Sequence, residues 1–451
     1  MAIESDVLVI GGGLAGMTAA IAAAREGADV RLVSHKKSTL RQASGLVDVL
    51  GYVPDSDSAD ETDGLAGPIA EPLASLDELP GAHPYSVVGR DAVESGLAVF
   101  DDVAGALYSG EHTDRNALLP TFGGTVKPTA RYPDAARSGL ASDERPMLIV
   151  GFRSLTEYHA GVLAEGIASA GVPFDVIGVE VEFAEAFRDD ATITRFARAL
   201  DTDGPIDGTP AREALADAVE DRLDDIDLPW KSMRSGPGIG SARIGFPAFL
   251  GRTESRAVMA DLEDRLGAPV FEIPMGPPSI PGRRLESTYF DALESAGVRY
   301  ETGVPVLDHT VASRWGNRVV ESALVDRTGN AIPYSASTFV LATGGLVGKG
   351  IESDREGVTE PVFGCHVPHP EDRYEWFAGD AYGDHPFARF GLRTDDDLRP
   401  LDAGGNPEFR NLFAAGAVLG GADVAREKSG SGVSLATGFA AGRNAARAVG
   451  D

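Results

Sequence analysis

Gly11, Gly13 and Gly16 form G-x-G-x-x-G directly after the apolar run Val7, Leu8, Val9 and Ile10, an order suited to holding phosphate. The first glycine permits a tight bend, the second lets the backbone approach a pyrophosphate, and the third lets the following helix pack close to its strand. The N-terminus of that helix adds free N–H groups and a partial positive charge. The turn comprising Gly11, Gly13, Leu14, Ala15 and Gly16 is therefore assigned to a nucleotide cofactor. In a dinucleotide site an acidic residue at the end of the next strand takes the adenosine ribose hydroxyls. Here that position is Ser34, followed by His35, Lys36 and Lys37. Three readings stay open: a receiver for the 2′-phosphate of NADP, a holder for the phosphate of a flavin mononucleotide without adenosine, and a solvated turn.

Further candidates lie downstream. Thr343, Gly344 and Gly345 follow an apolar strand, Gly416 follows the run Leu412 to Ala415, and Gly430 and Gly432 open the last helix. In this order the turns resemble the two-dinucleotide-binding-domain flavoproteins, whose last helix points its N-terminus at the flavin pyrimidine ring. Ser431, Gly432 and Val433 take that role here. A reduced flavin gathers negative charge on that edge, and a helix N-terminus stabilises it. Ser44 and Gly45 resemble the stretch that passes near the ring system in related flavoproteins. For a phosphate-bearing substrate the cationic candidates are Lys127 in "TVKPT", beside Thr125 and Thr129, and Arg283 with Arg284 in "PGRR". His366 in "CHVPHP" is a candidate general base, and the spacing to His369 lacks the carboxylates a metal site would want. Cys365 reads as a small buried hydrophobe.

These residues need scaffolds. A strand over residues 7–10, a helix over 17–25 and a strand near Val30, Leu32 and Val33 make one β-α-β unit. The acidic run "DSDSADETDG", residues 55–64, reads as a loop. A helix is expected over 90–107, a strand at 147–150, an edge or cap strand at "ATITRFARAL", and an acidic helix over 210–224. The glycine- and proline-rich stretches "SGPGIGSARIGFPAFLG" and "FEIPMGPPSIPGRR" are not expected to hold regular elements. After them the α/β rhythm returns with the helix "LESTYFDALESAG", strands across 299–326 and the strand "STFVLATGG". The expected class is α/β: a Rossmann-like flavin-binding domain built from residues 1–84 and 283–451, with an α+β cap inserted over 85–282.

Composition narrows the function. The chain has 451 residues and a formal charge of −29, with 34 arginines against 6 lysines. Such a surface repels nucleic acid and anionic lipid, and salt should screen its self-repulsion. The high acidity with little lysine resembles proteins of salt-accumulating archaea. A single cysteine leaves no room for a disulfide or a cysteine-ligated iron–sulfur cluster within the chain. With no apolar run long enough to cross a membrane and no basic leader, a cytoplasmic location is expected.

The run "GGGLAGMTAAIAAAREGADVRLVSHKKSTLRQASGLVDVL", together with "LPTFGGTVKPT", "IGFPAFLG", "PPSIPGRRLE", "LATGGLVGKGIESDREGVTEPVFG" and "NLFAAGAVLGG", resembles the B-subunit family of anaerobic glycerol-3-phosphate dehydrogenases over nearly the whole chain. The resemblance implies oxidation of sn-glycerol 3-phosphate to dihydroxyacetone phosphate. It implies an FMN flavoprotein, with FAD as the alternative, partnered by an FAD-containing catalytic A-subunit and an iron–sulfur C-subunit that passes electrons to a quinone. Membrane contact would then come only through those partners. Competing expectations are a stand-alone flavin oxidoreductase of fumarate-reductase type and a non-catalytic relay or assembly subunit.

Overall fold

The computed structural model describes residues 2–54, 64–183, 192–226, 242–314, 316–381 and 383–450. The acidic run expected as a loop falls outside them except for Gly64. Two compact units emerge: Met1–Thr39, Val47–Ala106 and Ser287–Asp451 form the first, and Leu40–Leu46 with Leu107–Glu286 form the second.

The first unit is built on a seven-stranded sheet. Its order runs Arg299–Thr302, Val30–Ser34, Ile3–Ile10, Asn330–Leu341, Asn317–Arg327 and Val306–Arg314, with Leu412–Ala414 also paired to Asn330–Leu341. Ile3–Ile10 is parallel to both neighbours, Val9 standing opposite Leu32 on one side and Val340 on the other. Val7, Leu8, Val9, Leu32, Val340 and Leu341 are fully buried, as an uninterrupted apolar strand covered on both faces requires. Asn330–Leu341 changes partner along its length. Its first half is antiparallel to Asn317–Arg327, and its last residues are parallel to Leu412–Ala414.

Three helices pack without side-chain spacers. A Cβ on Gly438 would stand 2.5 Å from the Ala15 carbonyl oxygen, and one on Gly442 would stand 2.2 Å from that of Ala19. The last helix, Gly430–Arg447, thus lies backbone to backbone on Leu14–Arg25. A Cβ on Gly96 would meet Leu435 at 2.6 Å, which brings Arg90–Ala104 onto the same helix. That contact moves the expected division at 84/85 to 106/107. The later division moves from 282/283 to 286/287, and Leu40–Leu46 joins the second unit.

The second unit holds a four-stranded sheet in the order Val176–Val181, Met147–Phe152, Arg243–Pro247, Val270–Ile273. Every pairing in this sheet is parallel, while the hairpin of Ala117–Pro120 with Val126–Thr129 and the pair Tyr108–Ser109 with Tyr132–Pro133 in the same unit are antiparallel. Two of its strands occupy stretches expected to be irregular. Arg243–Pro247 and Val270–Ile273 are buried at every position, and that burial overrides their glycine and proline content. "ATITRFARAL" is a helix, Ile193–Thr202, and not a strand. Ile193, Phe196, Ala197 and Leu200 recur at helical spacing and bury against Phe152, Phe183 and Phe249. The helix expected from Leu285 begins earlier, spanning Ile280–Ser295. Arg243 is fully buried, and its guanidinium donates to the carbonyls of Ser138, Leu140 and Asp143 at 2.9, 2.5 and 2.7 Å. Burial pushes its pKa down to about 10. Among the described residues no helix is long and apolar enough to cross a membrane.

Candidate functional site

The glycine turn sits at the carboxyl end of Ile3–Ile10, where parallel sheets of this kind receive ligands. Its three glycines are there for different reasons. Gly11 has φ +125°, and a Cβ on it would lie 2.0 Å from the Ala342 carbonyl oxygen. A Cβ on Gly16 would lie 1.9 Å from the Gly11 carbonyl oxygen. The fold itself therefore excludes side chains at 11 and 16. Gly13 differs: it is the helix N-cap at φ −84°, and the nearest atom to an added Cβ is the Thr39 hydroxyl at 3.5 Å. The fold leaves that side of position 13 open, with room for a group to approach the backbone. Leu14, Ala15 and Gly16 follow in the first turn of the helix, and no side chain caps its N-terminus. Thr39, which sequence reasoning passed over, sets an exposed hydroxyl beside this opening.

Ser34 ends its strand as expected, but its hydroxyl donates to the Lys36 carbonyl at 2.7 Å and is nearly buried. No carboxylate stands in its place, and His35 and Lys36 are exposed. Thr343 and Gly344 flank the turn from the neighbouring strand. The amide nitrogen of Thr343 would be 3.1 Å from a Cβ on Gly11, and the Thr343 hydroxyl is buried without a hydrogen-bond partner. That hydroxyl lies on the Gly350 side, while the open helix N-terminus at Gly13 fits a phosphate-bearing nucleotide. Gly416, at φ +75°, packs against Ala15, and its amide donates to the Thr437 hydroxyl at 2.8 Å.

At the start of the last helix the amides of Gly432 and Val433 are already engaged, donating to the Asp48 and Ser429 carbonyls at 2.7 and 2.8 Å. These two amides are therefore spent within the chain. The helix dipole remains available there, and Ser431 is half-buried. A buried network that sequence reasoning missed fixes this helix start. Glu427 accepts from the Ser429 hydroxyl at 2.9 Å and lies 3.1 Å from His83 Nε2, while the Tyr85 amide donates to His83 Nδ1 at 3.0 Å. Tyr85 in turn donates its hydroxyl to the Val49 carbonyl at 2.6 Å. Burial alone would raise the Glu427 carboxyl, but hydrogen bonds from His83, Ser429 and the Asp423 amide outweigh it and hold the group below the usual carboxylate range.

Lys127, Arg283, Ser44 and Gly45 all belong to the second unit. A Cβ on Gly45, at φ +85°, would meet Pro281 at 2.7 Å, so the packing of that unit accounts for the glycine. Ser44 accepts from the Leu46 amide at 3.3 Å. Lys127 lies on Val126–Thr129, opposite Leu119 in a hairpin; Thr125 bonds Thr121 and buried Thr129 donates to the Arg131 carbonyl. Arg284 is structural, because it grips buried Glu272 at 2.7 and 2.9 Å and donates to the Gly251 carbonyl. Burial opposes its charge, yet Glu272 outweighs that and holds the guanidinium more firmly protonated than usual. Arg283 is the opposite case. Its Nε is buried with no hydrogen-bond partner, and burial followed by repulsion from Arg41 and Arg252 pulls its pKa down. His366 has an exposed ring, with its backbone amide held by Glu408 at 2.5 Å. Cys365 is buried, and burial pushes its thiol far up, as befits a packing residue. A concavity of about 1110 Å³ is lined by Ser5, Asp29, Ser337, Arg410 and Arg447 among others, at the amino ends of the strands and away from the glycine turn.

Residues 6–433 match the FAD binding domain family. The probable B-subunit of anaerobic glycerol-3-phosphate dehydrogenase from Halobacterium salinarum is 54% identical over 455 residues, covering 100% of both chains. The chain belongs to the FAD binding domain family. The B-subunit of anaerobic glycerol-3-phosphate dehydrogenase from Pectobacterium atrosepticum is 28% identical over 95% of this chain and 96% of its own. Among solved structures, a 3-ketosteroid delta1-dehydrogenase from Sterolibacterium denitrificans is 14% identical, with a TM-score of 0.41 over 98% of this chain and 99% of its own. A flavocytochrome c3 fumarate reductase is 11% identical, with a TM-score of 0.44 over 100% of this chain and 79% of its own.

Proposed function

We propose that this chain is the flavoprotein B-subunit of an anaerobic glycerol-3-phosphate dehydrogenase and takes part in oxidising sn-glycerol 3-phosphate to dihydroxyacetone phosphate. The full-length 54% identity to a protein of that name carries the reading, and the intact glycine turn, open at Gly13, supports it chemically. Gly11, Gly13, Leu14, Ala15 and Gly16 hold the phosphate of the flavin, with Thr39, Thr343 and Gly344 beside them. Bound there, a flavin supplies a two-electron acceptor for an alcohol. The substrate gives up two electrons and two protons, one of them from its hydroxyl, and exposed His366 is the acceptor assigned to that proton. Lys127 and Arg283 are assigned to the phosphate end.

The flavin is FMN in this reading, because Ser34 spends its hydroxyl on Lys36 and offers no carboxylate to an adenosine ribose. FAD is the second reading, favoured by the description of the matched family. Acid release of the cofactor followed by chromatography separates the two. The electrons must leave the chain, since one cysteine cannot ligate an all-cysteine cluster. They pass to an FAD-containing A-subunit and an iron–sulfur C-subunit, which bring the complex to the inner face of the membrane and to its quinone. The deciding experiment is anaerobic addition of sn-glycerol 3-phosphate to the flavin-loaded chain. Bleaching of the flavin supports the dehydrogenase reading. An unchanged flavin, with turnover only in the full complex, makes this chain a relay.

A further inference from the structure

Three arginines of the second unit are brought together by backbone contacts. Arg41 lies in the turn Thr39–Gln42, Arg252 follows Gly251, and Arg283 stands in the first turn of Ile280–Ser295. The Ser279 amide donates to the Arg41 carbonyl at 3.0 Å, and a Cβ on Gly282 would lie 2.0 Å from the Leu40 carbonyl oxygen, so the Arg41 turn rests directly on the start of that helix. Arg284 ties the other segment to the same place, bonding the Gly251 carbonyl through Nε at 3.1 Å. The Asp201 carboxylate then anchors the segment by accepting the amides of Arg252, Thr253 and Glu254 at 2.9, 3.2 and 2.9 Å.

Charge within this cluster is unbalanced. Glu286, 3.2 Å from Arg41 Nε, is the carboxylate paired with it, and Arg252 and Arg283 have no ion-pair partner among the described residues. Arg256 pairs with Asp134 at 3.1 Å and Arg265 with Asp261 and Glu213 at 3.0 and 3.4 Å, while Arg137, Arg198 and Arg222, like Arg252 and Arg283, have no ion pair among the described residues. What sets this cluster apart is its balance: Arg283 feels repulsion from both Arg41 and Arg252, and the one carboxylate that offsets it, Glu286, is already paired with Arg41. Holding like charges together, one with a buried unbonded Nε, is unfavourable until an anion neutralises them.

We propose that Arg41, Arg252 and Arg283 form a binding site for the dianionic phosphate of a phosphomonoester. Guanidinium forks delivered from three separate segments can share the oxygens of a tetrahedral phosphate, whereas a planar carboxylate is satisfied by one fork. The inference rests on the proposed function for the identity of the ester, sn-glycerol 3-phosphate, and it adds Arg41 and Arg252 to the contacts assigned there.

The test is equilibrium dialysis of the full chain, in concentrated potassium chloride, against inorganic phosphate and against sn-glycerol 3-phosphate. Arg252→Gln and Arg283→Gln should each weaken binding of both by roughly tenfold to a hundredfold, the loss expected for one charge-assisted fork. Arg256→Gln removes the same charge from the same unit and should leave binding unchanged. Succinate should not displace phosphate at matched concentration. Arg252 is exposed, so its variant should melt with the wild type, and Arg283→Lys should recover part of the affinity. The site is refuted if the wild-type chain binds neither anion, if both glutamine variants bind like wild type, or if succinate competes equally. Flavin bleaching in the same samples separates the two proposals. Arginine-dependent phosphate binding without bleaching removes the dehydrogenase reading and keeps the site. Bleaching that saturates at the same substrate concentration in all variants does the reverse.

Discussion

Replacing Gly13 by alanine should remove the flavin while leaving the fold in place, and Gly16→Ala should do the opposite in order of severity. At position 13 the backbone has φ −84° and ψ −178°, open to any L-residue, and the added Cβ meets nothing closer than Thr39 at 3.5 Å. Alanine is a poorer N-cap than glycine by about 0.5–1 kcal/mol, and it gains about 0.4–1 kcal/mol by restricting the unfolded chain. The net change is under about 1 kcal/mol, a shift in Tm of less than about 4 °C. At position 16 the Cβ would stand 1.9 Å from the Gly11 carbonyl oxygen, a backbone atom that cannot rotate aside. The helix must separate from the turn, and overpacking of that kind costs about 1–3 kcal/mol. For the ligand the ranking reverses in origin. A methyl at 13 occupies the approach of a phosphate, and loss of one charge-assisted hydrogen bond, about 1.5–3 kcal/mol, lowers affinity more than about tenfold. The assay compares the flavin-to-protein ratio after purification, reconstitution with added flavin, and melting of the flavin-free forms. The reasoning fails if Gly13→Ala keeps wild-type flavin affinity, or if its flavin-free form melts as far below wild type as that of Gly16→Ala.

Three shorter predictions follow from the electrostatics. Stability should rise with potassium chloride because a formal charge of −29 repels itself most when screening is weak, and a Tm independent of salt would contradict this. The lowered pKa of Glu427 makes its ionised form a stabilising group above the usual glutamate value, and that contribution is lost as pH falls through the lower folded value. Glu427→Gln should therefore cost about 2 kcal/mol at neutral pH, with the gap to wild type closing in acid; parallel pH–stability curves would refute the assignment. Arg284→Met should leave Glu272, only 2% exposed, as a buried unpaired carboxylate and destabilise the second unit by about 3–5 kcal/mol, with or without phosphate present; an unshifted melt would show that the pair is not structural.

What the sequence determined by itself was local and continuous. The apolar run Val7 to Ile10, the glycine turn and the alanine-rich helix lie within twenty or so residues, and strand, bend and helix each follow from residue type at that range. The ordered motifs along the chain were likewise sufficient to point to its family. Tertiary structure decided everything that depends on which segments meet. "ATITRFARAL" became a helix because its apolar stripe met a phenylalanine cluster, and Arg243–Pro247 became a strand because both of its faces were covered. The boundary after Arg90–Ala104 followed from Gly96 meeting Leu435, and the engaged amides of Gly432 and Val433 followed from Asp48 and Ser429. Arg283 and Arg284 are neighbours with the same side chain, yet Arg284 grips buried Glu272 while at Arg283 burial and repulsion from Arg41 and Arg252 outweigh the attraction of Glu286. Their difference lies in partners drawn from Arg41, Arg252 and Glu272, which are distant along the chain, and residue spacing carries no information about such encounters until the backbone has folded.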